Sequence, residues 1–397
     1  MARLRARSLA AIVASLALAG GCAGPASANA RPEVVRAGAP PAVPAAVPPP
    51  AAAPTVTFAP PPAPAARLWP FKHLFNTDYV DVAAIAERYG LATAWVTSGR
   101  TMQLADARGR VRLKFEDRNR DFTLDGVRVF MGDVTVFYKG SLYVSKIDVI
   151  KTIAPLLRPG DHANLLPPPP RLIVLDPGHG GNDPGNQNGG LRLDEKAMTL
   201  DVAQRLKKLL EARGYRVLLT RTDDRRVELV ERDFIAVRAK ADLFLSIHFN
   251  ALPPALAGRV SGSETYALTP QFQASTQPEK EKDMIPALYP GNRQDYANTV
   301  LGFQLQRRLL ADLGTSDRGY KRARWVVLRF ATCPAALIEA AFLSNDTEAR
   351  RVATPEFRQR IAAAIAGGID DYAATLAAVH PAATLPTETR SPTASSK

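Results

Sequence analysis

Four residues of this 397-residue chain have the types and settings that hydrolytic chemistry needs: His179, Glu195, His248 and Glu339. The chain holds five histidines, and two of them follow apolar runs directly. His179 stands in Leu175-Asp176-Pro177-Gly178-His179-Gly180-Gly181, and His248 closes Leu245-Ser246-Ile247-His248. Imidazoles leaving the carboxyl ends of strands meet at the edge where open α/β sheets bind ligands. Glu195 falls in the first turn of a predicted helix after the glycine-rich loop, and Glu339 follows Ala336-Leu337-Ile338. A carboxylate directly after a buried strand needs a proton, a cation or a metal beside it. Two histidines and one glutamate make a three-ligand zinc set that leaves a position for water, and the remaining glutamate can then act as general base. Each residue also has an ordinary reading. A strand-end histidine can simply bond nearby backbone, Glu195 can complement a helix dipole, and Glu339 can pair with a local arginine such as Arg329.

Bringing these residues together requires a sheet, and the pattern after Pro167–Pro170 provides one. Strand-like runs are expected at Leu172–Leu175, Tyr215–Thr220, Leu243–Ile247, Glu264–Leu268, Trp325–Leu328 and Ala335–Ile338. Helices are expected over Asp194–Arg213, Glu228–Lys240, Tyr296–Leu313 and from Phe357 to about Ala378. In the first, Met198, Val202, Leu206 and Leu209 form one stripe and Gly214 ends it. Strands alternating with helices predict an α/β domain over 171–378 with a largely parallel sheet flanked by helices. Ahead of it, residues 67–160 read as a small β-rich α+β accessory domain. It has a helix over Asp81–Tyr89, several short strands, and Asp125-Gly126 as a hairpin turn. Residues 161–170 form a proline-rich linker.

The amino terminus reads as an export signal over 1–30: Arg3, Arg5 and Arg7, then the short apolar stretch Leu9–Leu18, too short for a membrane span of about 20 residues. Cys22 resembles a bacterial lipoprotein box, so lipidation would anchor the chain. Cleavage near Ala28 is the other route. Residues 31–66, rich in Ala and Pro, form an extended linker, and residues 379–397 a disordered tail. Both routes place the mature protein outside the cytoplasm, in the periplasm or cell envelope. The balance of 51 Lys+Arg against 38 Asp+Glu, net +13, suits an anionic partner. No basic run interleaved with aromatics points to nucleic acid. With two cysteines in all there is no disulfide framework, and Cys333 reads as a buried, inert thiol.

From about Arg171 to Tyr372 the chain resembles the zinc-dependent N-acetylmuramoyl-L-alanine amidase family of the D-x-G-H-G-G type. The resemblance rests on four motifs in order. They are Asp176-Pro177-Gly178-His179-Gly180-Gly181 with Asp183-Pro184-Gly185, Glu195-Lys196 opening a helix, Ser246-Ile247-His248, and Leu337-Ile338-Glu339 with Phe342-Leu343-Ser344-Asn345. It implies one Zn²⁺ per chain on His179, Glu195 and His248, Glu339 as catalytic base, and peptidoglycan as substrate, cut between N-acetylmuramic acid and L-alanine. The chain departs from the family's usual residues at Phe249-Asn250 and Ala340-Ala341, which bears on the groove more than on the metal site. The pattern of residues 67–160 resembles the copper amine oxidase N-terminal domain. The stretch Thr269–Asn292 reads as a solvated loop, or as a lid of the kind that an activator protein displaces in some family members. A zinc peptidase acting on stem peptides and a non-catalytic peptidoglycan-binding protein are the competing functions.

Overall fold

A computed structural model describes residues 68–276 and 285–381. The signal segment with Cys22, the 31–66 linker, most of the carboxy-terminal tail and the middle of the Thr269–Asn292 stretch lie outside the described residues.

The amino-terminal part runs β1 (Lys72–Leu74), β2 (Thr77–Asp81), α1 (Val82–Tyr89), β3 (Ala92–Thr97), β4 (Thr101–Ala105), β5 (Val111–Glu116), β6 (Asp121–Leu124), β7 (Val127–Phe130), β8 (Val136–Tyr138) and β9 (Ser141–Ser145). Two short helices, α2 (Lys146–Asp148) and α3 (Ala154–Leu157), flank a π-helical turn and lead to the Pro167–Pro170 run. Asp81 caps α1 by accepting from the Ala83 amide at 2.9 Å, and Gly90 ends it in a left-handed conformation.

The remainder runs β10 (Leu172–Pro177), β11 (Gln187–Asn188), β12 (Leu193–Asp194), α4 (Glu195–Glu211), β13 (Arg216–Leu219), α5 (Leu229–Ala239), β14 (Leu243–Asn250), β15 (Ser263–Leu268), α6 (Asp295–Leu313), β16 (Asp317–Ala323), α7 (Val326–Arg329), β17 (Ala335–Phe342), α8 (Asp346–Ala353) and α9 (Pro355–Val379). Strands β13, β10, β14 and β17 pair in parallel, β15 lies antiparallel to β17, and β16 is parallel to β15. The apolar runs are nearly unbroken because these strands are covered on both faces. Ile173, Leu175, Leu245, Ile247 and Ile338 pack towards α4, α6 and α9, while Val174, Phe244 and Leu337 pack on the side of α5 and α7. Helix α9 is apolar enough to cross a membrane by length and composition, and its Ile361, Ile365, Ile369, Tyr372 and Leu376 are buried in this core.

Two elements differ from expectation. Trp325–Leu328 is not a strand: the backbone coils into α7, placing Val327 and Leu328 against the sheet. The strand lies one step earlier, at β16, whose sequence Asp-Arg-Gly-Tyr-Lys-Arg-Ala carries too many charges to read as buried. Those charges are nevertheless served inside. Lys321 pairs with Glu264, and Arg322 donates to Thr299 Oγ1 and the Leu268 carbonyl.

Strand β16 is also where the two parts of the chain meet. Its other neighbour is β7, with Tyr320 opposite Val129, so β3–β7 continue the same sheet to eleven strands in the order β13-β10-β14-β17-β15-β16-β7-β6-β5-β4-β3. Ala267, Phe303 and Tyr320 are buried in one cluster with Val129, Leu113, Phe115 and Val144. Strands from both sides of the Pro167–Pro170 run therefore share the eleven-stranded sheet, while β1, β2, β9 and β8 form a separate four-stranded sheet, and the amino-terminal strands share a core with α6, β15 and β16.

Candidate active site

The parallel register sets the site. Asp176 lies opposite Ser246 across β10 and β14, and His248 lies opposite Glu339 across β14 and β17. Antiparallel β15 then places Glu264 on the other side of Glu339. At the end of β10 the chain turns sharply, and His179 itself takes φ 61°. That left-handed conformation costs a non-glycine residue about 1–2 kcal/mol, so the surroundings must hold it. Arg232 does so by donating to the His179 carbonyl at 2.9 Å, and Arg221, fully buried, donates to the carbonyls of Pro177, Gly178 and Lys196.

Glu195, with a fully buried side chain, joins the two imidazoles. Its Oε2 is 3.1 Å from His179 Nε2 and its Oε1 is 3.0 Å from His248 Nδ1. The rings stand 5.0 Å apart at 80° to one another. Backbone amides of Asn186 and Phe249 also donate to Glu195, at 2.8 and 2.9 Å. One ligand atom from each of His179, Glu195 and His248 lies within 4.8 Å of the others, a group that could hold a metal ion. Two glycines make the approach possible. A β-carbon on Gly178 would lie 2.3 Å from His248 Cε1, and one on Gly185 would lie 2.6 Å from His179 Cδ2 and 2.7 Å from Glu195 Oε2.

Glu339 stands beside this triangle rather than in it. Its Oε2 is buried without a hydrogen-bond partner. Arg329, the partner considered from sequence, lies on α7, donating to the Arg324 carbonyl and stacked over Tyr289. Burial pushes the Glu339 carboxyl well above its ordinary range, and the charges of Glu195 and Glu264 add to this against an opposing effect from Lys321. Glu195 goes the other way: burial disfavours its charge, but the hydrogen bonds of His179 and His248 hold it far below the usual carboxylate range. For His179, burial opposes the charged form, yet Glu195 and then Asp183 raise it to about 9. Glu195 is thus held ionised between two imidazoles, a carboxylate with two nitrogen donors beside it that could take a cation.

Residues 173–371 match the N-acetylmuramoyl-L-alanine amidase family. LytC of Bacillus subtilis is 36% identical over 200 residues, half of this chain. AmiA of Salmonella typhimurium is 32% identical over 234 residues, covering 51% of this chain and 76% of that protein. This chain belongs to the N-acetylmuramoyl-L-alanine amidase family. It spans only 35% of the length of LytC. Among solved structures, the catalytic domain of CwlV from Bacillus (Paenibacillus) polymyxa is 28% identical with a TM-score of 0.42, covering 51% of this chain and 97% of that one.

Around the four residues expected from sequence, this amidase-family fold adds others that sequence reasoning missed. Asp176 is fully buried and paired with Arg232 at 2.7 Å. Glu264 is buried and receives Asn250 Nδ2 at 2.6 Å, Tyr266 OH at 2.8 Å and Lys321. Asp183 holds His179 Nδ1 at 2.9 Å. The available signal was charge inside apolar runs: Asp176 closes one strand and Glu264 opens another, and neither position tolerates an unpaired carboxylate.

The Thr269–Asn292 stretch starts from the other end of the sheet. Because Glu264 faces Glu339 and Tyr266 faces Leu337, β15 runs away from the histidines. The Thr269 and Thr276 amides donate to the carbonyls of Ala323 and Arg322. The described ends of this stretch are therefore fastened far from His248.

Proposed function

We propose that this protein is a cell-wall hydrolase that cleaves the amide bond between N-acetylmuramic acid and L-alanine in peptidoglycan. The observation that carries the proposal is the convergence of His179, Glu195 and His248 on one point with an unpartnered, buried Glu339 alongside, in a chain of this family. Two imidazoles and one carboxylate, with no fourth ligand in the group among the described residues, are the donor set of a catalytic zinc site. The glycine cradle at Gly178 and Gly185 and the negative charge of Glu195 suit a small dication there. Bound by these three residues, zinc supplies a Lewis acid that polarises a carbonyl and lowers the pKa of water to about 7.

The remaining chemistry belongs to the chain. Glu339 Oε2, with no protein partner, takes the proton of the attacking water and returns it to the departing alanine nitrogen. Burial, with the charges of Glu195 and Glu264 added, keeps Glu339 protonated, and a cation held by the three ligands would lower that barrier to its ionisation. Asp183 and Ser246 hold the two imidazole rings, and Arg221 and Arg232 hold the turn that carries His179.

A peptidoglycan substrate places the protein in the cell envelope, in keeping with a leader over 1–30 and with Cys22 as a lipidation site. An activator protein is proposed as a further partner. The test is product analysis on purified peptidoglycan with parallel zinc determination. The amidase releases intact stem peptides with a free L-alanine amino terminus and binds one zinc per chain. Cleavage inside the stem peptides would instead make it a zinc peptidase, and zinc-free binding without cleavage a wall-binding protein.

A further inference from the structure

Asp176 accepts three hydrogen bonds inside the sheet: from Arg232 Nη1 at 2.7 Å, Thr220 Oγ1 at 2.6 Å and Ser246 Oγ at 2.7 Å. Burial works against its charge, but Arg232 and the two hydroxyls hold it below its ordinary value. An ionised carboxylate can only accept, so the Ser246 hydroxyl must donate to it. Ser246 Oγ then offers only lone pairs to its other neighbour, His248 Nε2, 3.1 Å away. It follows that Nε2 carries the hydrogen and that Nδ1, 3.0 Å from Glu195 Oε1, is the nitrogen turned towards the ligand cluster.

His179 is arranged in the opposite sense. Asp183 Oδ2 engages its Nδ1 at 2.9 Å, leaving Nε2 beside Glu195. Arg232 reaches both sides, since it donates to the His179 and Pro177 carbonyls as well as to Asp176. One arginine of α5 therefore braces the turn of one histidine and, through two buried side chains, the ring of the other.

We infer that the buried chain Arg232–Asp176–Ser246 sets the tautomer and ring orientation of His248, so that Nδ1 rather than Nε2 is its metal-binding nitrogen. Ser246 and Asp176 are positioning residues that act through His248. The inference rests on the reading of His179, Glu195 and His248 as the zinc site. Outer partners of this kind are worth 10–100-fold in metal affinity, because a ring free to turn or change tautomer binds less well.

The experiment is zinc affinity by chelator competition on the full chain, for the wild type, Ser246→Ala and Ser246→Thr. It is paired with long-range ¹H–¹⁵N correlation of the histidine rings in the zinc-loaded protein and melting of the metal-free forms. The wild type is expected to bind one zinc, with His248 Nδ1 as the coordinating nitrogen. Ser246→Ala should weaken zinc by about 10–100-fold, with a lower metal-free melting temperature as well because Asp176 loses a donor, and Ser246→Thr, which keeps the hydroxyl, should stay within about threefold of wild type in zinc affinity. Coordination through Nε2, or wild-type affinity in Ser246→Ala, overturns the inference and leaves the zinc site standing. Equal losses of zinc affinity in both variants assign Ser246 to packing and also overturn it. A wild type that takes up no zinc sinks both this inference and the amidase mechanism it rests on.

Discussion

Cutting the chain before Leu172 tests whether the amino-terminal strands are an accessory or part of the enzyme body. Removing residues 69–165 uncovers Phe303 and Tyr320, which are 6% and 0% exposed in the shared cluster. Exposing a large apolar side chain costs about 1.5–3 kcal/mol, so these two alone account for ~3–6 kcal/mol. Ala267 adds to this, and β16 becomes an open edge with unpaired backbone groups. Set against a total stability of about 5–15 kcal/mol for a typical domain, the fragment 166–381 should be marginal or unfolded. Urea unfolding of 69–381 and 166–381, followed by circular dichroism and tryptophan fluorescence, measures the difference. The same reasoning predicts a single transition for 69–381, and Leu113→Ala should lower its midpoint as a whole by ~2–5 kcal/mol. A fragment 166–381 within about 1 kcal/mol of the longer form would refute the argument. So would two separate transitions, with Leu113→Ala moving only one.

Other consequences are local. Glu339→Ala should keep one zinc per chain and lose turnover by about 10²–10⁴-fold, read by metal analysis and stem-peptide release. Gly185→Ala, at φ 68° and with its new methyl against His179 and Glu195, should lose zinc affinity by more than about tenfold, measured by chelator competition. Asp233 is buried with one oxygen unpartnered, and burial raises its carboxyl to about 7. Its folded value lies above the ordinary one, so its contribution is fully present below about pH 4 and is lost as pH rises to about 7. Relative to Asp233→Asn, the wild type should therefore lose up to ~4 kcal/mol across that window in denaturant titrations. Burial pushes the Cys333 thiol to about 12. In residues 69–381 this cysteine should resist a disulfide reagent while folded and react completely in denaturant.

The chemistry was easier to read from sequence than the architecture around it. His179 and His248 each follow an apolar strand, and parallel pairing carries both to one sheet edge, so their meeting was implicit in periodicity. Glu195 and Glu339 needed the family motif to separate ligand from base, because spacing leaves the two carboxylates interchangeable. Strand β16 was hidden because its lysine and arginines are paid for by Glu264 and Thr299, residues distant in sequence. Trp325–Leu328 is a short apolar run, which periodicity cannot assign to strand or helix by itself. The joining of β7 to β16 had no local signature at all: a strand edge looks the same in sequence whether it meets water or another strand.

That junction also fixes distance. From β17, where Glu339 sits, seven neighbour steps lead through the sheet to β3, which at about 4.8 Å each is ~34 Å. A hinge along this path would have to part Tyr320 from Val129 and bring Phe303 into water. The outer strands and the edge that carries Glu339 consequently move as one body. The spacing between β3 and Glu339 is therefore set by the sheet itself and not by a linker.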